Sequence, residues 1–319
     1  MRAAHIVTLD GPDSVEVRHV PVPLAGPGEV LVRVRAAGLS FPDALQTRGL
    51  YQIKHALPFV PGHELAGEVV DAPSSSGLVP GQRVAAFTRR DALAEYCAAP
   101  ADQVFALPDQ VSFERGAALP FNYLTAHVAL TRRGRLAPGE SVLVHGAAGG
   151  IGTASIQIAK AFGSGAVIAV VSSEAKAAAA RAAGADHVVG VEGFRTAVAE
   201  LGNVDIVVDP VGGDRFTDSL RCLRPEGRLL VIGFTAGDIP EPRVNRLLLT
   251  NTEIVGVSWG GYSSARPGFL SQQWDELLPH LASGVIDPPL GVVVPLDNVA
   301  DALRAIEERR AIGKLIVRM

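Results

Sequence analysis

The stretch best suited to chemistry runs from residue 142 to 152. There an apolar run, Val142-Leu143-Val144, leads through His145-Gly146-Ala147-Ala148-Gly149-Gly150-Ile151-Gly152 into a helical stretch, Thr153 to Phe162. A strand that feeds a glycine turn and then a helix gathers unpaired backbone N–H groups at one point. A residue without a β-carbon at Gly149 lets a pyrophosphate approach those groups, and Gly152 lets helix and strand pack closely. Ala147 stands where the common fingerprint has its first glycine, which leaves Gly146 to supply the turn. Ala148, Gly149, Gly150, Ile151 and Gly152 are therefore the expected seat of a dinucleotide's diphosphate, and a glycine turn without a ligand is the plainer alternative. About twenty residues on, the second strand of such a unit presents an acid when it grips a ribose 2′-hydroxyl. This chain instead reads Val171-Ser172-Ser173-Glu174-Ala175-Lys176. Two hydroxyls and an ammonium suit a 2′-phosphate, so the residues favour NADPH over NADH. Glu174 argues the other way, and Ser173 is equally suited to cap the following helix.

Gly62-His63-Glu64 invites a metal reading, since a histidine and a nearby carboxylate can ligate zinc. A catalytic zinc needs three protein ligands, and the only cysteines are Cys97, in an expected strand, and Cys222, in the far half of the nucleotide region. The expectation is a metal-free site, with His63 a structural or pocket-lining residue.

The elements that must position these residues follow from the wider pattern. A chain of 319 residues, 48% hydrophobic and 19% charged, is long enough for roughly two domains with substantial cores. Its formal charge of −4 offers no basic field for nucleic acid or an anionic membrane, so a small molecule is the expected partner. Two cysteines point to a reducing cytoplasm, and neither a signal peptide nor a membrane anchor is legible. Up to about residue 110, short runs such as Val30 to Val34 and Glu68 to Val70 are punctuated by Pro-Gly pairs, which predicts an irregular, mainly β domain. Beyond about residue 125, apolar runs alternate with Ala-rich stretches, as in βαβ units of a parallel sheet. Strands are expected at Ser141 to His145, Val167 to Val171, His187 to Val189, Val204 to Val208, Arg228 to Ile232 and Glu253 to Val257, with a helix at Ala175 to Ala183. Helices at Trp274 to Leu281 and Val299 to Arg309 and a last strand at Lys314 to Arg318 complete the chain. The edge strand near Glu253 to Val257 is expected to pair with its copy in a homodimer.

Gly38-Leu39-Ser40-Phe41-Pro42-Asp43, Gly49-Leu50-Tyr51, Pro58 to Glu64, the Ala147 to Gly152 turn, Gly227 to Phe234 and Val257 to Tyr262 occur in order along nearly the whole chain. Together they resemble the medium-chain dehydrogenase/reductase superfamily, specifically its zinc-free quinone oxidoreductase branch, which includes the zeta-crystallin-like proteins. The resemblance implies an α/β chain: a GroES-like, mainly β catalytic domain from residues 1–120 and 264–319, and a Rossmann domain with a doubly wound parallel sheet from 121–263. It implies a soluble NADPH-dependent enzyme that passes hydride to a quinone or electron-poor enone. Zinc-dependent relatives put cysteine ligands where this chain has Ser40 and Phe121. Carried over by position, Ser40, Tyr51 and Thr125 face the nicotinamide, Phe234, Thr235 and Val257 line the same pocket, and Ser172, Ser173 and Lys176 meet the adenosine phosphate. Two departures stand out: Ser40 replaces an asparagine common in the branch, and Val191 a tyrosine. A hydroxyl from Tyr51 or Ser40 would steady a developing oxyanion, with the last proton drawn from water. Tyr51 as a loop aromatic is the other reading, because an ordinary phenol is a poor acid at neutral pH. Trp259 and Tyr262, at an expected strand end, suit an acceptor pocket, a core or a subunit interface equally. An enoyl-thioester or alkenal reductase on the same scaffold, and a non-catalytic NADPH-binding protein, are the competing functions.

Overall fold

The structure is a computed structural model that describes residues 1–319. In chain order, seven strands come first: β1 (Arg2–Ile6), β2 (Val15–His19), β3 (Glu29–Leu39), β4 (Glu64–Asp71), β5 (Arg83–Phe87), β6 (Tyr96–Pro100) and β7 (Val104–Ala106). Six more follow: β8 (Val142–Val144), β9 (Val167–Val171), β10 (His187–Gly190), β11 (Val204–Asp209), β12 (Leu223–Val231) and β13 (Glu253–Gly256). The last two are β14 (Leu290–Pro295) and β15 (Lys314–Arg318).

The chain divides into two compact units. One comprises Met1–Phe121, Gly268–Ala282 and Leu290–Met319, and the other Asn122–Pro267 with the short return Ser283–Pro289. The first crossing falls one residue from the expected boundary. The second lies four residues later than expected, because the helix Trp259–Ser264 still belongs to the nucleotide unit. That helix also corrects the placement of Trp259 and Tyr262: they lie on a short helix beyond β13, whose N-terminus Ser258 caps by accepting the Gly261 N–H.

In the first unit, β14, β15, β3, β4, β5 and β7 form a continuous sheet, and β6 adds to β3. Every pairing is antiparallel except β14 with β15. Strand β3 is eleven residues long, more than twice the apolar run that marks it in sequence, because it bonds β15 with one half and β6 with the other while β4 runs along most of its length. The β3–β4 ladder is interrupted by two register shifts, which bend the sheet around a core that includes Val30, Val32, Val34, Leu65, Val84 and Leu93. The final strand thus returns to the first unit and lies inside its sheet.

The second unit holds a six-stranded parallel sheet in the order β10-β9-β8-β11-β12-β13. Strand order reverses between β8 and β11, which creates the crevice at which open α/β sheets bind ligands. Strands β8 and β9 are buried along their whole length, as unbroken Val/Leu/Ile/Ala runs in a sheet covered on both faces should be. The expected strands all form, with ends displaced mostly by one residue. Strand β12 alone grows substantially, because Leu223 pairs with Val204 ahead of a bulge that carries Pro225 and Glu226.

Candidate active site

In the nucleotide unit the glycine turn has the geometry its spacing implies. Gly146 has φ 57°, a left-handed conformation that Ala147 would adopt only at a cost, so the turn is made one residue before the usual first glycine. Gly152 is required for a different reason: a β-carbon there would fall 2.2 Å from the Gly146 carbonyl oxygen. Gly149, where a β-carbon would lie 3.4 Å from the Gly146 carbonyl oxygen, begins the helix Gly150–Ala161 with no side-chain cap on the first amides. A twelve-residue helix that starts at the crevice with no side-chain cap has the charge and the free donors that suit an anion. The turn rests on His145, which is fully buried, bonds Ser219 Oγ through Nε2 at 2.8 Å and meets Phe194 edge-on. Burial, aided by Arg215, lowers its pKa to about 3, so the ring beneath the turn is neutral.

At the end of β9, Lys176 Nζ donates to Ser172 Oγ at 3.2 Å, and Ser173 Oγ accepts the Lys176 N–H at 3.4 Å. Ser173 therefore caps the helix Glu174–Ala182 and is itself exposed. Glu174 pairs with Arg181 at 2.6 Å. Phe234 and Thr235 follow β12 and Val257 follows β13, so the predicted pocket residues of this unit emerge from the carboxyl ends of its strands, as the turn itself does. Thr125, on the helix Pro120–His127, is 7% exposed. One buried acid in the crevice was not foreseen. Asp209, at the end of β11, accepts the N–H groups of Val211 and Gly212 at 2.9 Å each, and burial raises its pKa.

In the first unit, Ser40 and Tyr51 come together around a buried polar cluster whose other members the sequence reading did not assemble. Asp43 lies three residues past Ser40, the spacing of a capping box, and Asp43 Oδ2 accepts the Ser40 N–H at 2.7 Å to start the helix Phe41–Thr47. Asp43 Oδ1 lies 2.7 Å from His63 Nδ1, and both side chains are buried. Next in sequence, Glu64 is fully buried: one oxygen pairs with Lys314 Nζ and the other accepts the Phe121 N–H at 2.8 Å. Lys314 also donates to Ser40 Oγ at 2.6 Å, and Ser40 Oγ donates onward to Glu64 at 3.3 Å. The Ser40 hydroxyl is thus engaged as acceptor and as donor. The half-buried Tyr51 ring stands edge-on to His63 with centroids 5.7 Å apart, and Phe121 flanks the same imidazole at 5.5 Å. Burial, and then the charge of Asp43, raise the pKa of the Tyr51 phenol.

The capping-box spacing and the adjacent His-Glu pair were the available signals for Asp43, His63 and Glu64. Lys314 had none, being an ordinary lysine at the start of a strand 250 residues away from Glu64.

A Rossmann unit with a glycine turn at the head of its first helix, joined in one chain to a GroES-like unit, defines a dehydrogenase/reductase of the medium-chain type. Residues 26–109 match the alcohol dehydrogenase GroES-like domain, and residues 150–283 match the zinc-binding dehydrogenase family. The chain is 37% identical over 323 residues to mouse quinone oxidoreductase-like protein 2, covering 99% of this chain and 91% of the relative. It superposes with a TM-score of 0.92 on a probable oxidoreductase of Mycobacterium abscessus, at 41% identity over 100% of this chain and 99% of the other. A quinone oxidoreductase of Thermus thermophilus, whose complex with NADPH has also been solved, gives 0.88 at 36% identity with both chains covered in full. The chain belongs to the medium-chain dehydrogenase/reductase superfamily, in its quinone oxidoreductase branch, and is an oxidoreductase.

The zinc in the name of the matched family finds no suitable donor set. Ser40 is held between Lys314 and Glu64, Glu64 is neutralised by Lys314, and Phe121 has no donor side chain. His63 Nε2 alone remains, one ligand where a catalytic zinc needs three, and no group of three or more potential ligands exists elsewhere. The nicotinamide nucleotide does fit. The uncapped helix start suits a diphosphate, and Ser172, Ser173 and Lys176 suit a further phosphate.

Proposed function

We propose that the protein is a metal-independent, NADPH-dependent reductase of a small electron-poor acceptor, a quinone or an enone. The observation that carries the reading is the pairing of an uncapped twelve-residue helix N-terminus with a lysine–serine pair at the end of the neighbouring strand. The first binds a diphosphate and the second a 2′-phosphate, which together describe the phosphorylated dinucleotide. Bound there, NADPH supplies the hydride, and the protein's contribution is orientation and exclusion of water. Phe234, Thr235, Val257 and Thr125 are assigned to the nicotinamide end by position, with Ser40 and Tyr51 on the catalytic unit. The Ser40 hydroxyl, fixed by Lys314, serves as a dipole of set orientation. The half-buried Tyr51 ring forms an apolar wall for a flat acceptor.

The test is NADPH oxidation followed in parallel with quinones, alkenals and enoyl thioesters, beside calorimetric titration with NADPH and NADH. Expected are tighter binding of NADPH and turnover with quinones or simple enones. Turnover confined to thioesters would reassign the acceptor, and binding without turnover would make the protein a non-catalytic NADPH binder. We also propose a cytoplasmic homodimer joined through β13, an edge strand with β12 as its only neighbour. Light scattering that finds only monomer removes the dimer.

A further inference from the structure

We infer that His63 hands the proton to the reduced acceptor from Nε2, with Asp43 as its positioning residue; the inference rests on the reductase reading above. Reduction by hydride needs one proton for each hydride, and the first unit offers three groups near Tyr51 that could give it. Ser40 is excluded by its bonds, since its hydroxyl hydrogen is committed to Glu64 and its lone pairs to Lys314. Tyr51 is a worse acid than an ordinary phenol, for burial and the neighbouring Asp43 charge both hold its proton on. His63 remains.

The geometry fits that role. An ionised carboxylate only accepts, so the hydrogen between His63 and Asp43 sits on Nδ1, and the ring is fixed with Nε2 turned away from Asp43. Nε2 is buried and has no hydrogen-bond partner within the chain, and the imidazole is flanked by the rings of Tyr51 and Phe121. An orphaned buried polar atom is costly, and a site recovers that cost when a ligand oxygen takes the bond.

Asp43, Glu64 and Lys314, packed in the same cluster as this imidazole, are each at most 3% exposed. The other titratable groups facing this imidazole are Tyr51 and His55, and behind His55 stand Arg90 and Asp91.

The step balances as follows. The hydride forms a C–H bond at the acceptor, the acceptor's π pair moves to its oxygen, and NADPH becomes NADP⁺. The His63 Nε2–H bond breaks, the proton joins that oxygen, and the electron pair stays on Nε2. Nδ1 keeps its hydrogen bond to Asp43, and a solvent proton restores Nε2 before the next turnover.

The experiment compares the intact wild-type enzyme with His63→Gln and Asp43→Asn. For His63→Gln the expected result is a fall in kcat of about 100-fold or more at unchanged NADPH affinity, the usual range for loss of a general acid. The solvent deuterium isotope effect on kcat should change with it. Asp43→Asn should retain intermediate activity with a displaced pH–rate profile, which a merely structural carboxylate would not produce. A His63→Gln enzyme within threefold of wild-type kcat overturns the assignment. Should that variant fail to fold, nitrogen-15 spectra of histidine-labelled wild-type protein at the assay pH decide. Hydrogen on both ring nitrogens of His63 is expected, and hydrogen on Nδ1 alone overturns the proposal. Wild-type protein that fails to oxidise NADPH with every acceptor tried sinks the reductase reading itself, an outcome separate from wild-type turnover that His63→Gln preserves.

Discussion

The glycine turn and the buried cluster are both polar sites, yet they are built in opposite ways. At the turn the backbone does the work: side chains are removed at Gly149 and Gly152, and the N–H groups at the helix start are left without a side-chain cap. Around His63 the side chains do it: Ser40, Asp43, Glu64 and Lys314 satisfy one another out of contact with water. A site made from backbone tolerates most changes except added bulk. A site made from paired charges tolerates bulk changes better than the loss of one partner.

That contrast is sharpest at Lys314. Lys314→Met leaves Glu64 buried without its counter-charge, and removing one partner of a buried pair costs about 3–5 kcal/mol. Denaturant unfolding should show that loss, and adding Glu64→Gln should restore most of it. A single variant as stable as wild type would mean that the cluster is not a paired-charge site. At the turn the corresponding break is Gly152→Ala, which drives a β-carbon into the Gly146 carbonyl. It should cost up to about 3 kcal/mol of stability, with NADPH affinity lowered beyond the general destabilisation.

The support beneath the turn gives a pH signature. His145 is neutral when folded, with its pKa lowered to about 3, whereas the unfolded chain takes up a proton below its ordinary value near 6.5. Its contribution to stability is therefore intact above that value and declines as pH falls toward 3. Between pH 7 and 5 the loss should be about 2 kcal/mol, absent in His145→Gln. An identical pH dependence in both proteins would remove the buried imidazole as its source. The smallest effect belongs to Lys176→Ala, expected to weaken NADPH about tenfold, or about 1.4 kcal/mol, and to leave NADH unchanged. Equal weakening of the two nucleotides would show that the lysine does not read the extra phosphate.

The same contrast explains what the sequence disclosed. The Rossmann sheet was legible strand by strand because parallel strands buried on both faces are continuous apolar runs, and the turn was legible because its glycines are local. Even the displaced first glycine was readable, since Ala147 follows Gly146 directly. The long β12 was not, because its extension pairs Leu223 across a bulge containing a proline, which local patterns take for a turn. The cluster was legible only in fragments. Asp43 and Ser40 are three residues apart, His63 and Glu64 are adjacent, and nothing in either stretch refers to position 314. The Ser40 hydroxyl was read as available to a substrate for this reason: the lysine that claims it is set beside it by the pairing of β15 with β3, a long-range contact that no window of sequence contains.

The placement of β15 also bears on how the molecule is made. Because that strand is inserted between β14 and β3 rather than added at an edge, the sheet of the first unit stays split until residues 314–318 have been made. The nucleotide unit lies wholly upstream of residue 290, so all of its residues are made before the lysine that pairs with Glu64. A nascent chain stalled or cut before Lys314 would hold one well-formed half beside one that cannot dehydrate its own acid, a state that proteases should recognise.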